Sequence, residues 1–352
     1  MTDKYKKLTL APYYNLVPAI DEMLLFSIVL LLPQIIMLFI TNSFHSLILL
    51  ATVIIASFLA DGINILFSHR VFKFSWDVLL QSIIIGFFIP SGYPVVLAFF
   101  VVFFALLINK YAFGGFAQAW ANPAVVTIIV MYFLGANYFP SFILTPDFLQ
   151  APNAGSELFS HGLLHTGAYD TGVSSLLNNT ILTKLGVSIP SGYITLFWDT
   201  GSSIPAFRFN FLTLIASLFL IGYKIIEGII PLIFLFVYSV LIWALGLFPY
   251  GGQLGGGDIL LALLTSGTLF ATFFVFPWFG TYPQSFLGKI AYAALAGVGA
   301  FLIAGGGTSP IGIIFTVLSV NVLSPCIQNI EKAIYVWHTK KRLEIESQRC
   351  FK

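Results

Sequence analysis

Charged side chains are scarce in this sequence. Asp, Glu, Lys and Arg together make up 9% of the 352 residues, whereas soluble domains carry about 25%. So few charges cannot cover the surface of a soluble fold of this length, and that class is excluded. The net charge of +2 is small, and the basic residues stand mainly at the ends of apolar runs, which argues against binding of nucleic acid.

Cysteine is almost missing. Only Cys326 and Cys350 occur, and their spacing matches no metal-binding or disulfide pattern. Iron–sulfur clusters need several cysteine thiolates, so none is expected in this chain, and neither a nucleotide-binding glycine fingerprint nor evident haem ligands are found. A cleavable signal peptide is not predicted, because the first apolar run, near Met23, is long enough to be a full membrane span.

Apolar residues are abundant instead: they make up 58% of the chain, and the mean hydropathy is +0.95. Since a membrane helix needs about 20 apolar residues, the pattern predicts an all-α polytopic membrane protein with about ten transmembrane helices. The predicted spans are 23–41, 46–67, 78–97, 98–109, 122–137, 209–226, 228–248, 257–277, 287–304 and 309–327.

A long polar stretch, residues 138–208, separates five of these spans from the other five. A loop of this length without a strong periodic pattern is usually functional or disordered, and we interpret it as functional. The predicted organisation is therefore an N-terminal repeat, an outer loop, a C-terminal repeat and a cytoplasmic tail, with the bounds 1–137, 138–208, 209–330 and 331–352.

Lysine and arginine placement predicts the orientation. If the N-terminus is cytoplasmic and the chain crosses ten times, only Lys184 and Arg208 of the sixteen basic residues lie outside. The positive-inside rule favours this arrangement. Both termini are then cytoplasmic, and the loop 138–208 faces the outer side of the membrane.

The two halves share sequence markers. Glycines and prolines of the first half recur at an offset of about 190 residues, as expected for a repeat, in the pairs Pro90 and Pro277, Pro94 and Pro283, Gly114 and Gly305, and Pro123 and Pro310. Because each half has an odd number of spans, the second half must run through the membrane in the opposite direction. The sequence thus predicts two inverted five-helix repeats, an architecture known in transporters.

Ionisable residues inside a membrane span are costly and are functional candidates. Asp61 lies within the second predicted span and is the clearest of them. Asp77 and Asp258 each open a span, which favours a role at a helix start. Glu227 is predicted to lie at the membrane interface with a partner one turn away, beside Lys224.

Two glycine-rich turns, Gly114-Gly115 and Gly305–Gly307, could expose backbone amides to a phosphate, a ring carbonyl or an ion at a half-helix end. Close packing of small residues explains the same pattern. These turns alone do not choose between an ion path, a solute pore and a cofactor pocket.

Metal binding has weak support. Glu157, His161 and His165 are spaced by four and share a face if the segment is helical. No further ligand nearby completes a site, so a solvated loop face is the default interpretation.

The segment Phe113–Ala124 resembles the F-G-G-x-G-Q-N-x-x-N-P-A motif of the RnfD/NqrB family. Three further segments resemble family motifs in the same order, namely 86–90, 265–274 and 321–325. The resemblance covers residues 20–330, and the order of the motifs carries it. Members of this family are membrane subunits of ion-translocating ferredoxin:NAD and NADH:quinone oxidoreductases in the bacterial cytoplasmic membrane.

The resemblance implies a flavin in the outer loop. The family carries FMN joined through its phosphate to a hydroxyl in an S/T-G-A-T motif between the fifth and sixth spans. Thr171-Gly172-Val173-Ser174 occupies that place here, so Ser174 is the expected acceptor. Asp170 adjoins the motif, and Ser175 is a neighbouring hydroxyl that could serve instead.

The resemblance also implies partners and further cofactor contacts. We expect covalent FMN at Ser174, a second non-covalent flavin such as riboflavin, and coupling of electron transfer to Na⁺ or H⁺ transport. Other complex subunits, a flavin transferase and membrane lipid are the expected partners. The expected cofactor-binding residues are Asp170, Thr171, Gly172, Ser174, Gly114, Gly115 and Asn122.

Two other functions fit the residues. An inverted repeat of broken helices is also a permease architecture, so a flavin-free solute channel or transporter is the main alternative. A structural scaffold whose flavin site has decayed is the second.

Overall fold

The structure is a computed structural model that describes residues 18–68, 74–115, 120–140, 159, 164–186, 188–246, 255, 257–278, 280–305 and 309–350. Within these ranges the chain is all-helical, with no β-strand. The first half contains five helices: α1 (Ile20–Ile40), α2 (Phe44–Ser68), α3 (Trp76–Phe88), α4 (Val95–Leu106) and α5 (Pro123–Leu134). A π-helical turn, Leu107–Tyr111, continues α4.

Two short helices follow in the polar stretch, α6 (Asp170–Leu177) and α7 (Tyr193–Trp198). The second half contains α8 (Asn210–Gly222), α9 (Ile229–Leu245), α10 (Ile259–Thr265), α11 (Thr268–Phe274), α12 (Phe286–Ala304) and α13 (Gly312–Cys350). The predicted span at 257–277 is therefore two helices of seven residues each.

The helices have the composition of a multi-pass membrane protein. Four are long and apolar enough to cross a bilayer: α1, α2, α12 and the first part of α13, Gly312–Trp337. Five shorter apolar helices of 10–17 residues are α3, α4 with its π-turn, α5, α8 and α9. Because about 20 residues are needed to span the hydrocarbon core, the count of ten complete crossings stays a prediction.

The two halves pack their helices in the same order. In the first half α2 packs against α4, α4 against α5, and α1 against α3. In the second half α9 packs against α12, α12 against α13, and α8 against α11. The halves meet through α1 with α8 and through α5 with α13. This correspondence agrees with a repeat, and the two inverted five-helix repeats stay a prediction.

Aromatic rings fill the centre between the halves. The ring of Phe87 stacks on Phe270 at 5.3 Å, and Phe88 meets Phe270 edge-on at 5.6 Å. A buried polar contact accompanies them, because Gln34 of α1 donates to the hydroxyl of Thr213 on α8 at 3.1 Å. Hydrogen bonds between buried polar groups compensate for lost hydration, so these contacts fix how the halves face each other.

The break between α10 and α11 lies at Gly267. Its φ is +66°, and a Cβ there would lie 2.3 Å from the ring of Phe207. The broken helix end is satisfied by Asn210, whose amide donates to the carbonyl of Leu264 at 2.7 Å. A side chain at position 267 would need both a left-handed backbone and a displaced ring, so glycine is required there.

The last helix is much longer than its predicted span. Helix α13 continues without interruption from Gly312 through Pro325 to Cys350. No structural break therefore marks the predicted boundary between the second repeat and the tail at residue 331.

Candidate functional site

The predicted flavin motif and the adjoining Asp170 lie on α6, and two residues of this helix face inward. Asp170 and Ser174 are buried, whereas Thr171, Gly172 and Val173 are exposed. Residues four apart lie on one face of a helix, so the helical conformation places the acid and the expected acceptor side by side. An acidic residue in the first turn also complements the positive end of the helix dipole.

Asp170 joins α6 to the segment that begins α7. One carboxylate oxygen accepts hydrogen bonds from the Gly192 amide at 2.5 Å and the Ser174 hydroxyl at 3.2 Å. The other accepts from the amide and the hydroxyl of Thr195, both at 2.7 Å. The Thr195 hydroxyl also accepts from the Gly167 amide at 3.1 Å. We call this set of contacts the Asp170 latch.

The latch keeps Asp170 ionised. Burial alone would raise the pKa of this carboxyl, but hydrogen bonds from Gly192, Thr195 and Ser174 stabilise the charged form. The net result is a pKa below its ordinary value of 3.8. A group whose pKa is lowered by folding contributes stability above its unfolded pKa, and this contribution is lost as the pH falls through the folded value.

Acidification should therefore open the latch. We expect amide hydrogen exchange in residues 164–198, corrected for intrinsic rates, to show constant protection from pH 7 down to about pH 4 and a loss below it. Asp170→Asn should abolish this pH dependence, because the variant carries no titrating group. Protection that falls already between pH 7 and pH 5, or that falls equally in Asp170→Asn, would contradict the assignment.

The expected acceptor is sequestered. Ser174 is only 4% exposed, and its hydroxyl donates to the ionised Asp170. Ser175 is exposed and donates to the carbonyl of Gly172 at 2.9 Å. A hydroxyl beside a carboxylate suits a nucleophile, so the chemistry of Ser174 fits a phosphoester link. A phosphate at this position would face the Asp170 charge, so attachment of a flavin would require α6 to move away from α7.

Hydrogen bonds from Arg208 and Tyr193 connect the polar stretch to the helix bundle. The guanidinium of Arg208 makes two hydrogen bonds with the carboxylate of Asp199, at 2.8 and 2.6 Å, and a third with Ser43 at 2.6 Å. Tyr193 of α7 donates to Asp258, which also caps α10 by accepting from the Leu261 amide at 3.0 Å. The prediction of a helix-start role for Asp258 is confirmed.

Gly114, Gly115 and Asn122 belong to a different region. Both glycines have positive φ, and their amides donate to the carbonyls of Tyr111 and Lys110. These two amides are therefore not free to bind a phosphate. Asn122 is fully buried and caps α5, and its amide donates to the carbonyl of Val275 at 3.1 Å. The described contacts give Asn122 a role in joining the halves; Gly306 and Gly307 lie outside the described residues.

A buried polar cluster lies where α2, α3 and α4 meet. Asp61 accepts from the hydroxyls of Ser75 at 2.8 Å and Tyr111 at 3.0 Å. Lys110 is 2% exposed and donates to Asp77 at 2.7 Å. Asp77 lies in the first turn of α3, as predicted, but the N-cap is Ser75, and the Asp77 carboxylate forms an ion pair across helices with Lys110. The π-turn carries both Lys110 and Tyr111, and such turns frequently occur at functional sites.

Glu227 has a different partner from the one predicted. Its carboxylate binds the ammonium of Lys289 on α12 at 2.6 and 2.7 Å. The prediction of a partner one turn away, beside Lys224, is therefore wrong. The side chain of Glu227 is half exposed, which agrees with the predicted interfacial position.

The weak metal prediction gains no support within the described residues. His165 is exposed, while Glu157 and His161 lie outside the described residues. No group of three His, Cys, Asp or Glu suited to a metal occurs among the described residues.

Several site residues were not predicted from the sequence. Thr195 and Gly192 lie more than twenty residues from Asp170, and no local motif marks them. Lys110 carried a usable signal, because a lysine close to the apolar segment 98–109 needs a buried carboxylate partner.

Comparison with known proteins gives a consistent result. The profile of the NQR2, RnfD, RnfE family matches residues 7–335. The chain is 25% identical over 265 residues to the D subunit of the ion-translocating oxidoreductase complex of Sodalis glossinidius, covering 72% of this chain and 75% of that protein. It is 23% identical over 261 residues to the D subunit of the proton-translocating ferredoxin:NAD(+) oxidoreductase complex of Clostridium ljungdahlii, with 73% of each chain covered.

A third relative is the D subunit of the Na(+)-translocating ferredoxin:NAD(+) oxidoreductase complex of Acetobacterium woodii. It is 25% identical over 272 residues, covering 77% of this chain and 76% of that protein. The names of these relatives differ in the ion that is moved, but all three describe one component of an oxidoreductase complex. With the family profile matching nearly the whole chain, the protein belongs to the NQR2, RnfD, RnfE family.

Proposed function

We propose that this chain is the D subunit of an Rnf-type ion-translocating oxidoreductase complex and carries FMN as a phosphoester on Ser174. The single observation that supports the acceptor is the hydrogen bond between the Ser174 hydroxyl and the ionised Asp170. Family membership supports the complex, and the multi-pass architecture supports a membrane subunit.

The flavin would supply one- and two-electron transfer, while the chain holds and orients it. Ser174 provides the covalent link, and the exposed face formed by Thr171, Gly172 and Val173 is available to a flavin transferase. Other subunits deliver and remove electrons, and Na⁺ or H⁺ transport is a property of the whole complex. A second, non-covalent flavin and contacts of Gly114, Gly115 or Asn122 with it remain part of this proposal.

The test is flavin fluorescence of the denatured protein on a gel after co-expression with a flavin transferase. We expect a fluorescent wild-type band and complete loss of the signal in Ser174→Ala, because the variant has no hydroxyl at that position. Ser175→Ala, an exposed change on the same helix, is the matched control and should retain the signal.

Two results would overturn the assignment. A dark wild-type band, with the transferase active on a control protein, would remove the covalent flavin and favour the flavin-free transporter or the scaffold. Loss of fluorescence in Ser175→Ala with retention in Ser174→Ala would move the link to the exposed hydroxyl.

A further inference from the structure

Helix α7 is linked to both ends of α10. At the start of α10, the Tyr193 hydroxyl of α7 donates to Asp258, which caps α10. At the end of α10, Asn210 of α8 forms a bridge, because its side-chain amide donates to the Leu264 carbonyl of α10 at 2.7 Å and to the Leu196 carbonyl of α7 at 2.8 Å. A side-chain amide has two N–H bonds, and its two shortest hydrogen bonds here go to the two helices.

These contacts are buried. Asn210 and Leu196 are each 1% exposed and Tyr193 is 7% exposed, and α7 packs directly against both α8 and α10. Buried polar groups that lose their hydrogen-bond partners destabilise a fold. Separation of α7 from α10 is therefore unfavourable, and we expect the two helices to move together.

The same short helix supplies the donors of the Asp170 latch. The Gly192 amide, just before α7, and the amide and hydroxyl of Thr195, within α7, donate to Asp170. Tyr193 lies between them in sequence and contacts Asp258. Helix α7 has only six residues, and isolated helices shorter than about 12–15 residues are marginal in water. Its contacts with α10 therefore hold the latch donors in place, and the latch in turn holds α7.

We propose that α7 couples the Ser174 site to the short helix α10, so that opening of the Asp170 latch loosens α10 and loosening of α10 opens the latch. Coupling between two sites is reciprocal. Attachment of a flavin to Ser174, which would require α6 to move away from α7, then also changes the order of α10. That consequence rests on the proposed function, whereas the coupling itself needs no flavin.

The first test breaks the contact with α10 and measures the latch. Tyr193→Phe and Asp258→Ser each remove the hydrogen bond between these residues, and serine keeps the helix cap. Lys184 is the only lysine or arginine between α6 and α7, so tryptic cleavage after it reports latch opening in the full chain in detergent. We expect either variant to raise the cleavage rate about fivefold, which corresponds to about 1 kcal/mol for one hydrogen bond. In the Asp170→Ala background the same changes should have little effect, because the latch is already open.

The second test opens the latch and measures α10. Amide hydrogen exchange in peptides that cover residues 259–265 should be about fivefold faster in Asp170→Ala, because the coupling is reciprocal, while exchange in α12 stays unchanged. The control Tyr292→Phe removes a buried tyrosine hydrogen bond elsewhere, to Asn321 at 2.8 Å, and should alter neither cleavage nor exchange in α10. Neither measurement requires a flavin, so failure of attachment at Ser174 would leave both expected results unchanged.

Three outcomes would overturn the proposal. Unchanged cleavage after Lys184 in Tyr193→Phe and Asp258→Ser would show that α7 keeps its position without α10. An equal rise with and without Asp170 would show that the two sets of contacts act independently. A rise of the same size in Tyr292→Phe would show a general loss of stability in place of coupling through α7.

Discussion

Asp77→Asn is expected to destabilise the protein by about 3–5 kcal/mol, the usual cost of removing one partner from a buried ion pair. The reason is the location of Lys110, which is 2% exposed and donates to Asp77 at 2.7 Å. Without the carboxylate, the buried Lys110 ammonium loses the ion-pair partner that the described residues give it. The measurement is the thermal unfolding midpoint of the purified protein in detergent.

Matched variants separate charge from packing. Lys110→Met keeps the volume and leaves Asp77, whose side chain is 19% exposed and can be hydrated, so its cost should be smaller. Asp77→Asn/Lys110→Met should recover most of the loss, because replacing both charges by neutral groups is often nearly neutral. Glu227→Gln is the comparison at the second pair: it leaves Lys289 with its side chain 10% exposed, against 2% for Lys110, so it should lower the midpoint less than Asp77→Asn does.

The relative unfolding midpoints of these four variants test the prediction. If Glu227→Gln and Asp77→Asn lower the midpoint equally, burial of Lys110 is not what stabilises this end of the bundle. If the double variant is as unstable as Asp77→Asn, the loss of stability arises from altered side-chain packing and not from an unpaired charge.

Asp170→Ala is expected to release α6 from α7. The variant leaves the amides of Gly192 and Thr195 and the Thr195 hydroxyl without their acceptor, and each unsatisfied buried group costs about 1–3 kcal/mol. Lys184 is the only lysine or arginine between Lys110 and Arg208. Tryptic cleavage after Lys184 therefore reports opening of this segment, and its rate should rise on the order of 100-fold or more.

The same variant tests how Ser174 becomes accessible. Because the hydroxyl is buried against the latch, folded wild-type protein should accept flavin slowly from added transferase. Asp170→Ala removes the latch and also the carboxylate beside the acceptor, so faster attachment would show that burial limits the rate, and slower attachment would show that Asp170 activates the hydroxyl. Ser175→Ala, an exposed change on the same helix, should alter neither rate. Unchanged cleavage in Asp170→Ala would show that other contacts hold α6.

Much of the helical framework could be predicted from the sequence, because membrane helices are recognisable by apolar length alone. The Pro and Gly residues around position 90 indicated a turn there, and Asp258 indicated a helix start. The shortness of α3, α5 and α8 was harder to predict, since apolar residues also fill the turns between helices. Gly267 was the one local signal for the break between α10 and α11.

The site was only partly predictable. A motif placed Ser174 and Asp170 together, because residues four apart need only a helix to meet. The partners of Asp170, Asp77 and Glu227 lie 25, 33 and 62 residues away in sequence. Which carboxylate meets which donor depends on the packing of whole helices, and single-sequence periodicity does not encode that packing.

The break at Gly267 has a consequence for how the chain enters the bilayer during synthesis. Helices α10 and α11 are each about 10 Å long, so neither can partition alone into a core about 30 Å thick. The open carbonyl of Leu264 is satisfied by Asn210, and Phe207 packs over the break. Both residues emerge from the ribosome earlier than the broken segment. The preceding chain thus acts as a template, and residues 259–274 are inserted against a helix that is already in place.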